Sequence, residues 1–355
     1  MTLTDLLEID LPIIQAPMAG AQASAMALAV SNAGALGSLP CAMLTAEGLR
    51  KELELMKAGT SKPFNVNFFC HRPPVADAAR ESAWRALLAP YYKQYGIDPT
   101  TVASGPGRAP FSAEFADVLE QAPPAVVSFH FGLPPADLLA RVKSWVYETR
   151  RGKTGRSKIF CSATTVAEAL WLQAQGVDAI IAQGLEAGGH RGMFLSDDIT
   201  TQIGSFALLP QILRAVKIPV IAAGGIADAK GVVAAMALGA AGVQIGTAYL
   251  LCPEATITPV HRLALKSEAA RHTALTNLFT GRPARGIMNK VMRELGPINQ
   301  GAPAFPLATA AIAPLRAKAE ADGSGDYSPL WSGQNATGCK AIPAAQLTLE
   351  LAADL

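Results

Sequence analysis

The chain has 355 residues, of which 50% are apolar and only 16% charged, with 31 Gly and 25 Pro. This composition predicts a folded enzyme with one large core and excludes a disordered or fibrous protein. Thirty basic residues against 28 acidic ones leave a formal net charge of +2, so neither nucleic acid nor an anionic membrane surface is an expected partner.

The amino terminus and the cysteines indicate a reducing compartment. MTLTDLLEIDLP has acidic residues where a secretory signal needs a basic stretch followed by an apolar one, and the later apolar runs are too short to span a bilayer. The five cysteines are odd in number, widely spaced and without a CxxC pair, which favours buried thiols over a metal or redox site. We therefore expect a cytoplasmic protein without a metal site.

Eight short apolar runs recur along the chain with little alternation of polar and apolar residues, a pattern typical of parallel strands covered on both faces. They are Ile13–Met18, Ala35–Pro40, Phe64–Phe69, Ala125–Phe131, Lys158–Ala163, Ala179–Gly184, Pro219–Gly225 and Gly242–Thr247. Between them lie segments with helical spacing: Ala23–Ala33, Ala46–Ala58, Leu138–Arg150, Thr165–Gln175, Phe206–Val216 and Ala229–Leu238. The alternation predicts an α/β fold, a (β/α)8 TIM barrel, with an open doubly wound sheet as the alternative.

Two parts of the chain depart from this regular alternation. The long step between Phe64 and Ala125 contains Pro73–Pro74, three tyrosines and SGPGRAP, and we expect this excursion, 70–124, to cover the barrel mouth. After the eighth strand, Pro253–Ala269, Ala270–Leu278 and Leu307–Ala321 are helical in pattern. We predict a barrel over 1–252 and 321–355 and a smaller, mostly helical domain over 253–320, and leave open whether 326–334 also form a lid.

The loops after the strands form the active face of a barrel, so the strand ends indicate the chemistry. The seventh and eighth strands end in AAGGIAD and QIGTAYL, which offer backbone N–H groups to a phosphate at Gly225 and at Gln244, Ile245, Gly246 and Thr247. Close helix packing is the simpler alternative for these glycines.

Polar groups concentrate at three other strand ends. The sixth strand ends in AQGLEAGGHRG, where Gln183, Glu186, His190, Arg191 and a Gly pair favour a binding loop over a packing loop. In the third strand, FNVNFF, a buried Asn is costly without partners, and Asn67 is nearer the active end than Asn65.

The fourth strand ends in VVSFHFG and places an imidazole between two phenylalanines. A histidine exchanges a proton near neutral pH, so His130 is a candidate general base or hydrogen-bond donor. A lone histidine between aromatic residues is more often structural, and it is the barrel frame that favours catalysis here.

The first strand ends in QAPMAG, where Met18 could lie against a flat conjugated ring.

The ordered motifs QAPMAG, FNVNFF, SFHFG and QGLEAGGHRG resemble those of the nitronate monooxygenases, and the similarity continues through AAGGI, QIGTAYL and GRPARGIMN. The resemblance implies FMN as cofactor, oxidation of a small nitronate or nitroalkane with O2, and His130 as the active-site imidazole. It also implies that Met18 lies beside the flavin ring, that Asn67 and Gln183 bond to the cofactor, and that the glycine-rich strand ends surround its phosphate. These last positions are Gly188, Gly225, Gln244, Ile245, Gly246 and Thr247.

Two other functions remain open at the level of sequence. FMN-dependent enoyl-acyl-carrier-protein reductases and NAD(P)H:quinone reductases share the QAPM and EAGGH elements, and would use His190 or a nicotinamide subsite. The chain has no GxGxxG dinucleotide motif, and SFHFG favours the monooxygenase. A phosphate-ligand sensor on a barrel scaffold is the non-catalytic alternative, and the sequence predicts no oligomeric state.

Overall fold

The computed structural model describes residues 1–75, 77–102, 108–148, 152 and 154–355. Eight parallel strands form its central sheet, and all eight lie within the predicted runs. They are β1 Ile13–Gln15, β2 Gly37–Pro40, β3 Phe64–Phe69, β4 Val126–His130, β5 Lys158–Ala163, β6 Ala179–Gln183, β7 Val220–Ala223 and β8 Gly242–Ile245. The predicted TIM-barrel fold is confirmed.

The strands follow one another around the sheet in the order β1-β8-β7-β6-β5-β4-β3-β2. Only a single bridge, Ile14 to Leu36, joins β1 to β2, where the Gln15 N–H donates to the Leu36 carbonyl at 3.0 Å. The barrel is thus closed by a short seam. Because every neighbouring pair is parallel, the carboxyl ends of all eight strands meet on one face.

Helices cover the outside of the barrel and shield its strands. Those that follow barrel strands are Ser24–Asn32, Ala46–Gly59, Ala78–Gln94, Ala113–Glu120, Ala136–Lys143, Val166–Ala174, Ser205–Ala215 and Ala229–Ala237. Several begin where a side chain accepts the free N–H groups of the first turn: Thr45 from Gly48, Thr165 from Glu168 and Asp228 from Gly231. The helix start after a strand is therefore fixed locally by the sequence.

The amino-terminal end of the barrel is filled with apolar side chains. Leu3 and Leu7 of the first helix, Leu3–Leu7, belong to the same buried cluster as Ile14, Phe160 and Ile221. None of these five side chains is more than 1% exposed. This packing leaves the opposite end, where the strands finish, as the place for a binding cavity.

A second apolar cluster lies outside the barrel core. Trp84 and Tyr92 of the helix Ala78–Gln94 share it with Leu315 of the helix Ala308–Ala321. The excursion after β3 thus packs against the segment that follows β8. Helices Pro259–Lys266, Lys290–Leu295 and Ala344–Leu351 complete the carboxyl-terminal part, with a three-stranded antiparallel sheet of Gly189–His190, Ala284–Ile287 and Thr273–Thr276. The predicted domain division at residue 253 stays a prediction.

Two predicted helices differ from the structure. The helix expected over Leu138–Arg150 ends at Lys143, and Val146–Glu148 forms a hairpin with Thr154–Arg156. The stretch Ala270–Leu278 contains the strand Thr273–Thr276, because its threonines suit the pleated edge that pairs with Ala284–Ile287. In both cases pairing with a distant segment outweighs the local helical pattern. Residues 149–151 and 153, and most of SGPGRAP, lie outside the described residues.

In the part of the chain that the structure describes, no helix is both long and apolar enough to cross a membrane. The same residues contain no group of three or more His, Cys, Asp or Glu side chains placed to hold a metal ion. The five cysteines are all described and all unpaired.

Candidate active site

A cavity of about 360 Å³ opens at the carboxyl ends of the strands. Residues from seven strand ends and from the carboxyl-terminal segment line it. All ten site residues predicted from the sequence lie in this lining: Met18, Asn67, His130, Gln183, Gly188, Gly225, Gln244, Ile245, Gly246 and Thr247. The structure thus brings them together, while their individual roles remain predictions.

The β7 and β8 ends form a glycine-rich wall. Gly224 and Gly225 have φ of +114° and +77°, a backbone region that side chains other than glycine rarely adopt. At Gly188 an added Cβ would come within 2.5 Å of the Gly333 nitrogen, so two backbone segments lie in direct contact there. Packing alone requires glycine at position 188, whereas at Gly225 the requirement comes from the backbone turn.

Gln244 of β8 and Thr247 of the turn after it differ in their hydrogen bonding. The Gln244 Oε1 is buried and lacks a hydrogen-bond partner among the described residues, which is costly unless a ligand supplies a donor. The Thr247 Oγ1 accepts the Gly333 N–H at 2.9 Å, and among the described residues it donates to no acceptor. The Gln244 acceptor and the Thr247 hydroxyl thus lie beside glycine backbone. Together these groups suit a polar ligand that carries a phosphate.

The two asparagines of β3 lie in different surroundings. Asn67 lines the cavity, and its Nδ2 donates to the carbonyl and hydroxyl of Ser128 at 3.2 and 2.9 Å. Asn65 bonds within the barrel to Ser38 and Ser128. These bonds fix the amide of Asn67 at the cavity wall.

Several polar side chains of the loop after β6 form hydrogen bonds to nearby backbone groups. The buried Arg191 guanidinium donates to the carbonyls of Gln183 and Gly184, each at 2.7 Å, and to Gln202. Burial, and then the nearby Arg285, lower the pKa of Arg191 to about 9. Glu186 accepts the Ser205 N–H and thereby caps the next helix. Glu186 and Arg191 thus hold the loop in place, and neither lines the cavity; a binding role for the loop stays a prediction.

Gln183 connects this loop to the histidines. Its Nε2 donates to the His190 carbonyl at 3.0 Å, and its Oε1 accepts the Gly192 N–H at 2.7 Å. The amide therefore sets the path of the loop from residue 190 to residue 192. Its predicted bond to a cofactor stays a prediction.

Two histidines lie in the cavity wall among aromatic rings. The His130 ring is 4.6 Å from the Phe131 ring and 5.8 Å from Phe69, and the His190 ring is 5.4 Å from Phe305. Burial lowers the pKa of His130 to about 3, although a bond to the His190 carbonyl opposes the shift. Burial likewise lowers the pKa of His190 well below its ordinary value. Both imidazoles are neutral at pH 7.

Each imidazole has defined partners. The His130 Nδ1 lies 2.9 Å from the Ser162 Oγ, and its Nε2 lies 3.2 Å from the His190 carbonyl oxygen. The His190 Nε2 lies 2.9 Å from the Thr280 Oγ1. Thr280 lies in the loop that joins Thr273–Thr276 to Ala284–Ile287 in the small antiparallel sheet, so the carboxyl-terminal segment positions one of the two histidines.

The cavity also holds a cationic side chain that was not predicted from the sequence. Arg108 lies in the lining, with its Cζ 5.9 Å from the centroid of the Phe305 ring. Its Nε and Nη1 are buried without a hydrogen-bond partner among the described residues, and burial lowers its pKa. Arg316 also lines the cavity, but it is paired with Glu320 at 2.8 Å. Arg108 therefore offers unused donors to an anion.

Ser162 and Trp331 also line the cavity without having been predicted as site residues. Ser162 lies at the end of β5, where inspection of that strand end would have found it. Trp331 belongs to 326–334, the segment left open as a lid, and no local pattern in the sequence singles it out. Arg108 belongs to the excursion after β3, which was expected to cover the mouth.

The chain matches known proteins along its whole length. A sequence profile of the nitronate monooxygenase family matches residues 1–354. The nitronate monooxygenase of Paraburkholderia phytofirmans is 44% identical over 99% of this chain and 94% of its own length, and that of Pseudomonas aeruginosa is 41% identical over 99% and 98%.

Solved structures give the same picture. A nitroalkane oxidase from Streptomyces ansochromogenes superposes with a TM-score of 0.86 at 38% identity, covering 99% of this chain and 97% of the other. FabK from Thermotoga maritima is more distant, with a TM-score of 0.71 at 27% identity over 100% and 96%. On its full-length match, the chain belongs to the nitronate monooxygenase family.

Proposed function

We propose that the chain is an FMN-dependent nitronate monooxygenase, which oxidises small alkyl nitronates with O2 to carbonyl compounds and nitrite. Propionate 3-nitronate is one such substrate, and neutral nitroalkanes are a second, slower class. The observation on which the proposal rests is the cavity at the strand ends, which unites a glycine-rich wall with two neutral histidines in a chain of this family.

The family consists of flavin enzymes, and the glycine-rich wall and the buried Gln244 amide of the cavity support FMN as the flavin. We assign the phosphate to the backbone around Gly225 and Gly246 and to Thr247, the ribityl chain to Gln244, and the ring to the wall between Met18 and Asn67. The bound flavin would supply the electron-accepting chemistry. An adenosine-binding motif of the GxGxxG kind is absent from the sequence, which favours FMN over FAD.

The neutral state of His130 sets the order of preference between substrates. A nitronate arrives without the α-proton, so it needs no base. A neutral nitroalkane must first lose that proton, and an imidazole with a pKa of about 3 is a weak base. The negative charge that develops on the substrate raises this pKa as the proton moves. Nitronates are therefore the better substrates, and His130 assists the nitroalkanes.

Arg108 gives the cavity a charge preference. Its buried Nε and Nη1, which have no hydrogen-bond partner in the part of the chain that the structure describes, favour an anionic group. Phe69 in the cavity wall, packed with Phe131 and Phe305, favours a small apolar body. A nitronate with a carboxylate at its far end, such as propionate 3-nitronate, satisfies both. We propose that Arg108 binds this carboxylate.

A flavin-dependent enoyl reductase is the second candidate, because FabK from Thermotoga maritima shares the fold at 27% identity. Such an enzyme requires reduction by NAD(P)H, whereas a nitronate monooxygenase is reduced by its nitronate. The reductant therefore distinguishes the two functions. We place either enzyme in the cytoplasm, which suits its five unpaired cysteines.

The test begins with the purified protein. Its flavin is released by denaturation and identified chromatographically, and the holoenzyme is then mixed with propionate 3-nitronate in air while nitrite and O2 uptake are followed. We expect FMN and nitrite release that depends on O2. A protein that binds FMN and turns over an enoyl thioester with NADH, but yields no nitrite, would refute the proposal.

A further inference from the structure

The two ring nitrogens of His130 have unequal roles, and their partners decide which is which. The Nε2 lies 3.2 Å from the His190 carbonyl oxygen. A carbonyl oxygen can only accept a hydrogen bond, so Nε2 carries the ring proton. The Gln183 Nε2 donates to the same oxygen at 3.0 Å, which holds that acceptor in place. In the neutral ring the lone pair is therefore on Nδ1.

Ser162 occupies the position in front of that lone pair. Its Oγ is 2.9 Å from Nδ1, and because Nδ1 carries no proton, the hydroxyl must be the donor. Ser162 is 5% exposed and lies in the cavity lining. Neither nitrogen of His130 thus has an unoccupied lone pair, and a substrate proton reaches the ring only where the serine hydroxyl stands.

The packing around the pair keeps the two residues together. A Cβ built on Gly192 would come within 2.9 Å of both the His130 Cε1 and the Ser162 Cβ, so the loop backbone lies directly against them. The other charged or titratable groups that act on the ring are Arg282, Arg191 and His190, and none of these is hydrogen-bonded to Nδ1. Ser162 is therefore the described partner of Nδ1.

We propose that Ser162 relays the α-proton of a neutral nitroalkane to the Nδ1 of His130. The C–H bond breaks and its electron pair stays on the substrate, which becomes the nitronate anion. The proton passes to the Ser162 Oγ as the serine's own proton passes to Nδ1, leaving an imidazolium. The step needs no oxidant. It rests on the proposed function and makes Ser162 a residue for nitroalkanes that is dispensable for preformed nitronates.

The test uses Ser162→Ala in the FMN-loaded enzyme, with nitroethane and ethyl nitronate as substrates. For nitroethane we expect kcat/KM to fall by about 10²-fold, the lower end of the contribution that general acid–base assistance makes in typical enzymes. For ethyl nitronate we expect a change of less than about threefold, because no α-proton is transferred. Ser162→Thr keeps a hydroxyl and should restore much of the nitroethane activity.

Ser157→Ala is the matched control. Ser157 immediately precedes β5, at the opposite end from Ser162; it is 0% exposed, and its hydroxyl donates to the Pro124 carbonyl at 2.7 Å. Its loss removes one buried hydrogen bond away from the cavity, and should lower both activities equally or neither. A substrate-selective loss in Ser162→Ala alone therefore reports the relay and not general destabilisation.

Two measurements separate proton transfer from a structural effect. With α-deuterated nitroethane, the primary isotope effect on kcat/KM should be larger in Ser162→Ala than in the wild type, since proton transfer becomes more limiting. In the ¹⁵N spectrum, assigned with His130→Asn, the His130 Nδ1 resonance should move in Ser162→Ala while Nε2 stays protonated. An unchanged Nδ1 resonance would contradict the contact itself.

The outcomes separate this inference from the proposed function. If His130→Asn loses nitroethane activity but Ser162→Ala keeps it, the relay is wrong and His130 acts alone. If Ser162→Ala loses activity equally on both substrates, the serine acts in binding and the relay is also wrong. If the wild type oxidises neither substrate, the proposed function fails and the inference fails with it.

Discussion

Replacing Gly225 with valine tests where the cofactor phosphate lies. Gly225 has φ of +77°, and an ideal Cβ there would meet the Glu186 Cβ at 3.6 Å, an ordinary contact. The side chain itself therefore finds space, and the cost lies in the backbone. A residue other than glycine pays about 1–2 kcal/mol in the left-handed region, and a β-branched residue is a stronger outlier.

That strain is relieved if the backbone turns away from positive φ, which redirects the N–H groups around residue 225. If the bound phosphate requires the original backbone conformation, the variant must adopt the strained form in order to bind FMN, and the strain weakens FMN binding. A penalty of 1–2 kcal/mol corresponds to a dissociation constant raised by roughly 5- to 30-fold. We expect Gly225→Val to raise the dissociation constant for FMN by at least this factor.

Gly176→Val provides the control with matched strain. Gly176 has φ of +75° and lies between the helix Val166–Ala174 and β6, at the amino-terminal end of the strand, away from the cavity. Flavin fluorescence quenching during titration of apo-protein measures FMN affinity, and thermal unfolding of the apo-proteins measures the strain. Both variants should unfold at lower temperature, but only Gly225→Val should bind FMN more weakly. Wild-type affinity in Gly225→Val, or equal losses in both variants, would refute the placement of the phosphate.

Three further outcomes are expected. Under anaerobic conditions NADH should reduce the flavin slowly or not at all while a nitronate reduces it rapidly; fast NADH reduction coupled to enoyl turnover would favour the second candidate function. Arg108→Gln should raise KM for propionate 3-nitronate by about tenfold or more, as expected for a lost charge-assisted bond, and leave KM for ethyl nitronate nearly unchanged; equal effects would contradict carboxylate binding. Burial lowers the pKa of His261 to about 4, so between that value and its ordinary pKa the unfolded chain binds more protons at this residue than the folded one. The contribution of His261 to the free energy of unfolding should therefore fall on the order of 3 kcal/mol from pH 6.5 to pH 4. Denaturant titrations of His261→Gln should show a flatter pH dependence, and an unchanged slope would contradict the assignment.

The barrel could be predicted because its signals are local. A strand buried on both faces needs an apolar run, and each of the eight predicted runs contains one barrel strand. The errors occur where partners are distant in sequence. Val146–Glu148 is a strand because Thr154–Arg156 pairs with it, and Thr273–Thr276 because Ala284–Ile287 does; neither pairing has a signature within the segment.

The cavity lining follows the same division. Residues at strand ends, such as Asn67 and Gln183, could be placed because the parallel barrel brings all these ends to one face. Arg108 and Trp331 also line the cavity, but they come from the excursion after β3 and from the segment after β8. These two parts of the chain meet where the helix Ala78–Gln94 packs against Ala308–Ala321. That contact joins segments more than two hundred positions apart in sequence. A sequence pattern with a period of a few residues contains no information about it.

The tautomer of His130 is a third feature that the sequence does not predict. SFHFG predicts where His130 lies, but the tautomer depends on a carbonyl sixty residues later and a hydroxyl thirty-two residues later. Both partners belong to strand ends or loops that the barrel gathers at its mouth. The sequence therefore predicts which imidazole is available, and only the folded loop determines that Nδ1 is its basic atom and that Ser162 stands before it.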